Sequence, residues 1–212
     1  SNKLTSFTGG PKEVSGHFDC SRNPLKTFIG APTQSQSFDG SQTQVETADG
    51  IPIAREDVTL KGCKRLKSLK GLPLEVQKII LDAITLYITT ESGRNLDPVL
   101  NPARTRALLS VGIIKLAAER DRILSGNRNW NSPPLVKSGD LLVRCTVDTY
   151  SSSLEERRKD LSLLMPLVTE DELDEFFSKN PLSIYILDDQ PEVKKGVLQR
   201  TGMKDLSSLG RS

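Results

Sequence analysis

The stretch GLPLEVQKIILDAITLYITT, residues 71–90, begins the part of the chain that is densest in apolar residues and decides the predicted fold. Pro73 suits the first turn of a helix, where its missing N–H has no partner to lose. A broad apolar face then recurs at helical spacing, formed by Val76, Ile79, Ile80, Ala83, Ile84, Tyr87 and Ile88. The pattern predicts an amphipathic helix.

A second helical pattern follows in NPARTRALLSVGIIKLAAERDRILSG, residues 101–126. Asn101 is a good N-cap, Pro102 suits the first helical position, and Gly126 is well placed to end the helix. The apolar stripe between them consists of Ala107, Leu108, Val111, Ile114 and Ala118. Two helices joined by about ten residues are expected to pack antiparallel, so the sequence predicts a central helical hairpin.

The elements after the hairpin are predicted to be shorter. Residues 141–148 alternate apolar and polar side chains, which is typical of a half-buried strand with Cys145 pointing inward. A capping box, either Ser152 with Glu155 or Ser153 with Glu156, predicts a helix that runs to about residue 165. Thr169 begins another predicted helix, residues 182–187 form a strand candidate, and a last short helix begins at Pro191.

The first 55 residues differ in composition from the rest. Ser, Thr, Gly, Gln, Asn and Pro occupy 29 of these positions, and five basic residues balance five acidic ones. Such a segment has too little apolar surface to offset its ordering entropy alone. We therefore predict a flexible polar arm at 1–55, a compact helix-rich domain at 56–202 and a frayed tail at 203–212.

The predicted fold class combines these elements. It is a helix-dominated α+β fold with a central antiparallel helical hairpin, three shorter helices and a small β-sheet, preceded by the flexible N-terminal arm.

Four of the six phenylalanines lie in the predicted arm, at Phe7, Phe18, Phe28 and Phe38. One interpretation is that they are scattered aromatics, some of which anchor short hairpins onto the core. The other is that they are spaced anchors with which the arm wraps a partner, each contributing about 1.5–3 kcal/mol before ordering costs.

A basic segment follows the arm and has no acidic residue within it. Its five positive residues are Lys61, Lys64, Arg65, Lys67 and Lys70, and Arg104 and Arg106 extend the set. The simpler interpretation is a solvated face. The functional one is contact with phosphates of nucleic acid or of an acidic membrane surface, with little sequence preference because no aromatic residue is interleaved.

The only tryptophan, Trp130, lies in an Asn- and Pro-rich loop. It either covers the helical core or acts as an anchor for a partner, and a Trp on a loop can also stack on a base.

Composition and motifs argue against several classes of function. A net charge of +2 gives no strong field toward polyanions, and three widely spaced cysteines indicate a reducing compartment rather than a disulfide framework. No signal peptide or membrane span is evident, so we expect an intracellular, cytoplasmic protein. His17 and Cys20 have the spacing of a metal pair, but no second pair exists, and no nucleotide or nucleophile motif is found. We therefore predict no catalytic site, cofactor, metal or small-molecule substrate.

The expected function is a non-catalytic structural or assembly protein, of the kind found in viral matrices and capsids by fold-level analogy. It would self-associate or bind a protein partner through the arm and the Trp130 loop. The alternative is a protein that binds nucleic acid or an anionic membrane surface through residues 61–70.

Overall fold

The computed structural model describes residues 3–73, 76–90, 113, 116, 120–126, 136–138, 141–148 and 150–167. Strands dominate this part of the chain: β1 (His17–Asp19), β2 (Gln34–Ser35), β3 (Ser37–Asp39), β4 (Ile53–Ala54), β5 (Asp57–Thr59), β6 (Lys78–Ile80), β7 (Ile84–Thr90), β8 (Val136–Ser138) and β9 (Leu141–Val147). The described residues also include two α-helices, α1 (Arg120–Ser125) and α2 (Leu154–Leu164), and a 3-10 turn at Met165–Leu167.

Seven of the strands form one mixed sheet, which we call the main sheet, in the order β1-β3-β5-β6-β7-β9-β8. Its first four strands are parallel, whereas β7, β9 and β8 are added antiparallel. The strands β2 and β4 form a separate parallel pair. Parallel strands need a crossover between them, and here each crossover passes through the small sheet or a turn rather than through a long helix.

The parallel part repeats with a period of 20 or 21 residues. Phe18, Phe38, Val58 and Ile79 are neighbours across the main sheet. Two further apolar columns are buried at the same spacing, Leu25, Val45 and Leu66, and Phe28, Ala48 and Leu69. Residues that are 20 apart therefore stack, and the chain from residue 3 to residue 80 winds as a parallel β-solenoid whose columns form one continuous core.

Each coil of the solenoid contains the same tight turn. The N–H groups of Gly10, Ala31, Ile51 and Leu72 each donate to the carbonyl three residues earlier, at 2.9–3.2 Å. The residue before each of these donors is a glycine with φ between +80° and +92°. A positive φ at the third position is what a type II turn requires, and glycine adopts it without steric cost.

The antiparallel strands and α2 close the other end of the solenoid. Asp160 on α2 is buried, and its Oδ2 accepts hydrogen bonds from the N–H groups of Ala83 (2.6 Å) and Ile84 (2.9 Å) between β6 and β7. Lys159 Nζ donates to the Cys63 carbonyl at 2.9 Å. These contacts fix the helix onto the last coil, with Leu161 and Leu164 buried beneath it.

The predicted helix-dominated fold is wrong, because residues 78–90 form β6 and β7 rather than the first helix of a hairpin. Ile84, Leu86 and Ile88 face the core, while Thr85 and Tyr87 alternate with them on the other face. Alternation of this kind, in a segment rich in β-branched residues, favours a strand.

The flexible N-terminal arm in that fold prediction is also corrected. β1 to β4 belong to the solenoid, and Phe28 and Phe38 lie in its core. The position between residues 55 and 56, predicted as a domain boundary, lies between β4 and β5 within the run of coils. The tail at 203–212 lies outside the described residues.

Some local predictions are confirmed. β9 covers Leu141–Val147 with Val143 and Cys145 buried, and α2 begins with the Ser153–Glu156 capping box. α1 ends at Ser125, followed by Gly126 at φ +66°. The helices predicted from Thr169 and Pro191 and the strand at 182–187 lie outside the described residues. Among the helices of the described residues, none has the length and apolar character needed to cross a membrane.

Candidate functional site

The face of the main sheet that points away from the core carries two rows of side chains, which we call the outer face. Strand register places one row at His17, Ser37, Asp57, Lys78, Tyr87 and Arg144, and the other at Asp19, Asp39, Thr59, Ile80, Thr85 and Thr146. All of these are exposed or half-buried except Ser37, which is 9% exposed. The solenoid therefore holds eleven accessible side chains and Ser37 in a fixed two-row array.

Carboxylates concentrate at the β1 end of the outer face. Asp19 and Asp39 are register neighbours, and each accepts a hydrogen bond from the backbone N–H two residues later, Ser21 at 2.8 Å and Ser41 at 2.9 Å. The hydrogen bonds from the Ser21 side chain and backbone lower the pKa of Asp19 below its usual range. The Asp19 side chain is therefore held as a carboxylate at this edge.

A histidine lies beside these carboxylates. The Nδ1 atom of His17 lies 2.6 Å from Ser37 Oγ, within hydrogen-bond distance across β1 and β3. Ser37 is thus occupied by its neighbour, while the His17 ring is exposed at the rim of the face.

Cationic and aromatic groups concentrate at the other end. Lys78 lies opposite Tyr87, with its Nζ atom 5.4 Å from the centre of the ring, in the range of a cation–π contact. Arg144 lies on the far side of Tyr87 and is exposed. Asp57 is the register neighbour of Lys78, so the change from acidic to basic occurs between β5 and β6. The outer face is bipolar, with an acidic and a basic end.

The geometry gives the cysteines and the histidine no catalytic arrangement. Cys20, Cys63 and Cys145 are buried. Burial raises the pKa of the Cys20 thiol to about 12 and raises that of Cys145 as well, which disfavours the nucleophilic thiolate. Cys20 faces the core, whereas His17 lies on the exposed side of β1. Within the described ranges, no three or more His, Cys, Asp or Glu side chains are grouped so that they could hold a metal ion.

The structure gives the phenylalanines predicted as partner anchors a role in the core. Phe7, Phe28 and Phe38 are buried, and Phe18 is half-buried against them. Their rings pack at centroid distances of 5.8 Å (Phe7–Phe18), 6.1 Å (Phe18–Phe38) and 5.0 Å (Phe28–Phe38). Trp130, the remaining predicted anchor, lies outside the described residues.

The predicted phosphate-binding segment is accessible. Lys61, Lys64, Arg65, Lys67 and Lys70 are all exposed on the turns of the last coils, and Lys67 Nζ lies 2.9 Å from Glu46 Oε2. Arg104 and Arg106 lie outside the described residues. The basic segment and the outer face are therefore distinct surfaces of the solenoid.

Sequence reasoning did not identify the outer face, although a signal for it exists. The pattern [Leu/Val]-x-[Ser/Thr]-x-x-Gly-x-Pro begins at Leu4, Leu25, Val45 and Leu66. Recognising this period would have placed Asp19 beside Asp39 on one face of one sheet.

Comparisons of this chain with protein-family models, with curated proteins and with solved structures find no match.

Proposed function

We propose that this chain is a non-catalytic interaction module that binds a partner protein on the outer face of its main sheet. The observation that carries the proposal is the continuous double row of accessible side chains on a scaffold with a continuous core. Repeat proteins in general use such extended surfaces for binding, because each repeat adds a few side chains to one array.

The spacing of the coils supports this role. The run Phe18-x-Cys20-x-x-Asn23-x-Leu25 is similar to the L-x-L-x-x-N/C-x-L part of the leucine-rich repeat pattern, in which strands line a horseshoe-shaped surface. This likeness is one of fold and pattern and does not name a partner.

The charges on the outer face indicate what kind of partner it fits. The acidic end, with Asp19, Asp39 and Asp57, complements basic side chains, and the basic end, with Lys78 and Arg144, complements acidic ones. β1 and β9 are separated by five strand intervals, about 24 Å at the usual strand spacing, which an extended segment of about seven residues spans. We therefore expect a bipolar protein segment to lie across the strands.

Tyr87 and Arg144 are the residues on which we expect affinity to depend most. They are register neighbours across β7 and β9. Tyr and Arg are over-represented among residues that dominate binding energy, and truncating such a residue commonly costs more than about 1 kcal/mol. Rim carboxylates such as Asp19 should affect the association rate more than the dissociation rate.

Photo-crosslinking followed by binding measurements tests the proposal. A photoreactive side chain at Thr59, on the outer face, should capture one protein from native extract much more efficiently than the same group at Thr27, on an exposed turn. Titration calorimetry with that purified protein should show at least tenfold weaker binding for Tyr87→Ala/Arg144→Ala. The matched pair Lys12→Ala/Arg158→Ala, exposed and off the face, should change affinity less than twofold.

Two results would refute the assignment of the surface. One is equal capture from positions 59 and 27. The other is equal loss of affinity in the two double variants when both retain the wild-type circular dichroism spectrum. Reversing charge at the other end, with Asp19→Lys/Asp39→Lys, provides an independent variant that does not rely on Tyr87.

A further inference from the structure

We infer that a second surface of the solenoid, on its turns, binds the phosphodiester backbone of a nucleic acid. This surface, which we call the basic edge, consists of Arg22, Lys26, Lys61, Lys64, Arg65, Lys67 and Lys70. All seven residues are exposed. The proposal extends the predicted basic segment at 61–70 by two residues that only the coiling of the chain brings to the same side.

Hydrogen bonds between coils hold the basic edge together. The N–H of Lys67 donates to the Glu46 carbonyl at 2.9 Å, and the N–H of Gln42 donates to the Lys61 carbonyl at 2.7 Å. One coil further along, the N–H of Gln44 donates to the Leu25 carbonyl at 2.9 Å, next to Lys26. The cationic residues therefore project from stacked backbone segments rather than from a free loop.

Little negative charge opposes these cations. Within residues 21–28, 41–50 and 60–71 the only carboxylates are Glu46 and Asp49. Glu46 pairs with Lys67 at 2.9 Å, and Asp49 Oδ2 accepts a hydrogen bond from Thr47 at 2.9 Å. The basic edge thus carries a local excess of positive charge that the whole-chain value of +2 conceals.

The side chains on the basic edge favour nucleic acid over a membrane. A membrane-binding surface combines cations with several apolar groups that enter the bilayer. Here Ile29, 67% exposed, is the one large apolar side chain that is exposed within residues 21–28, 29–50 and 60–71. These ranges also contain no exposed aromatic residue on which a base could stack, so contact with phosphates without sequence preference is expected.

Salt-dependent binding to labelled oligonucleotides tests the inference. Fluorescence anisotropy of the full chain with a 20-nucleotide single-stranded RNA and a 20-base-pair DNA should show affinity that falls as KCl rises from 25 to 200 mM. These two probes distinguish the two sources of the same phosphodiester chemistry. Lys64→Gln/Arg65→Gln/Lys70→Gln should weaken binding at least tenfold at 25 mM KCl. The same variant should reduce the slope of log K against log salt by about two to three, since each lost phosphate contact removes about 0.7–0.9.

The matched control changes the same charge elsewhere. Lys12→Gln/Arg120→Gln/Arg158→Gln removes three exposed cations that lie off the basic edge, and it should keep affinity within about threefold. Absence of binding at 25 mM KCl, binding that does not depend on salt, equal loss in both triple variants, or binding only to phosphatidylserine vesicles would each overturn the inference. Because the outer face is unchanged in both variants, the result is independent of the proposed protein partner.

Discussion

Asp160 illustrates how a single buried residue can connect two elements at an energetic cost. Burial raises its pKa to about 6, although the hydrogen bonds from Ala83 and Ile84 act in the opposite direction. Of the charged groups that face it, Asp82 raises the pKa further and Lys159 lowers it. The ionised carboxylate is therefore less stable in the folded protein than in the unfolded chain, where its pKa is near 4.

This shift has a defined sign in the dependence of stability on pH. Between pH 4 and pH 6 the folded protein retains a proton that the unfolded chain has released, so the contribution of Asp160 to the free energy of unfolding falls as pH rises. Asp160→Asn keeps an oxygen acceptor for both N–H groups and removes the titration. Urea unfolding should show the variant gaining stability relative to wild type, by about 2–3 kcal/mol, from pH 4 to pH 7. Parallel pH profiles for the two proteins would contradict this explanation.

The turn glycines provide a second test at the residue scale. A Cβ at Gly50 would overlap the backbone of Phe28 and Ile29, whereas a Cβ at Gly9 would meet nothing within 4 Å, although both residues have a positive φ. Gly50→Ala should therefore cost about 2–4 kcal/mol of unfolding free energy, and Gly9→Ala about 1 kcal/mol. Gly16→Ala, with open space and no positive φ, should change stability by less than about 0.5 kcal/mol. An equal cost at Gly50 and Gly16 would show that the coils do not approach each other as described.

Among the elements, α2 is the one whose start was predictable from the sequence. Ser153 Oγ accepts from the Glu156 N–H at 3.1 Å, and the Glu156 carboxylate accepts from the Ser153 N–H at 2.7 Å. These contacts depend on residues three apart in sequence, so no tertiary information is needed to foresee them.

Removing the cap should weaken the closure of the solenoid. We expect Ser153→Ala to lower the free energy of unfolding by about 1 kcal/mol, because the helix loses a side-chain acceptor at its N-terminus. Ser162→Ala on the same helix is the control, since Ser162 only donates to the Lys159 carbonyl within the helix, and it should be nearly neutral. Chemical denaturation of both variants measures the difference. Equal stabilities would show that the cap contributes nothing to the docking of α2.

The strands at residues 78–90 show why other elements were not predictable by the same reasoning. Ile79, Ile80, Ile84 and Ile88 satisfy a helical period, while Ile84, Leu86 and Ile88 also satisfy a period of two. Local periodicity cannot decide between the two, and the outcome depends on pairing with β5 and β9, which are distant in sequence.

For the whole molecule, the 20-residue period was visible in the sequence, but its consequence is not local. The spacing of Gly9, Gly30, Gly50 and Gly71 predicts repeating turns once it is noticed. The basic end of the outer face could not be predicted in this way, because Tyr87 and Arg144 come together only through the antiparallel pairing of β7 and β9. Composition also misled at this scale, since the polar N-terminal segment is ordered by stacking against the next coil rather than by a core of its own.

The central claim is that residues 3–80 stack as coils, and amide hydrogen exchange measured by NMR tests it most directly. The N–H groups of Cys20, Gly40 and Leu60 each donate at 2.9 Å to a carbonyl of the next coil, at Asp39, Thr59 and Ile80. These three amides should exchange slowly, in proportion to the stability of the whole solenoid. Exchange at Cys20 and Gly40 at random-coil rates, with protection confined to residues beyond 70, would contradict the solenoid and favour a flexible arm.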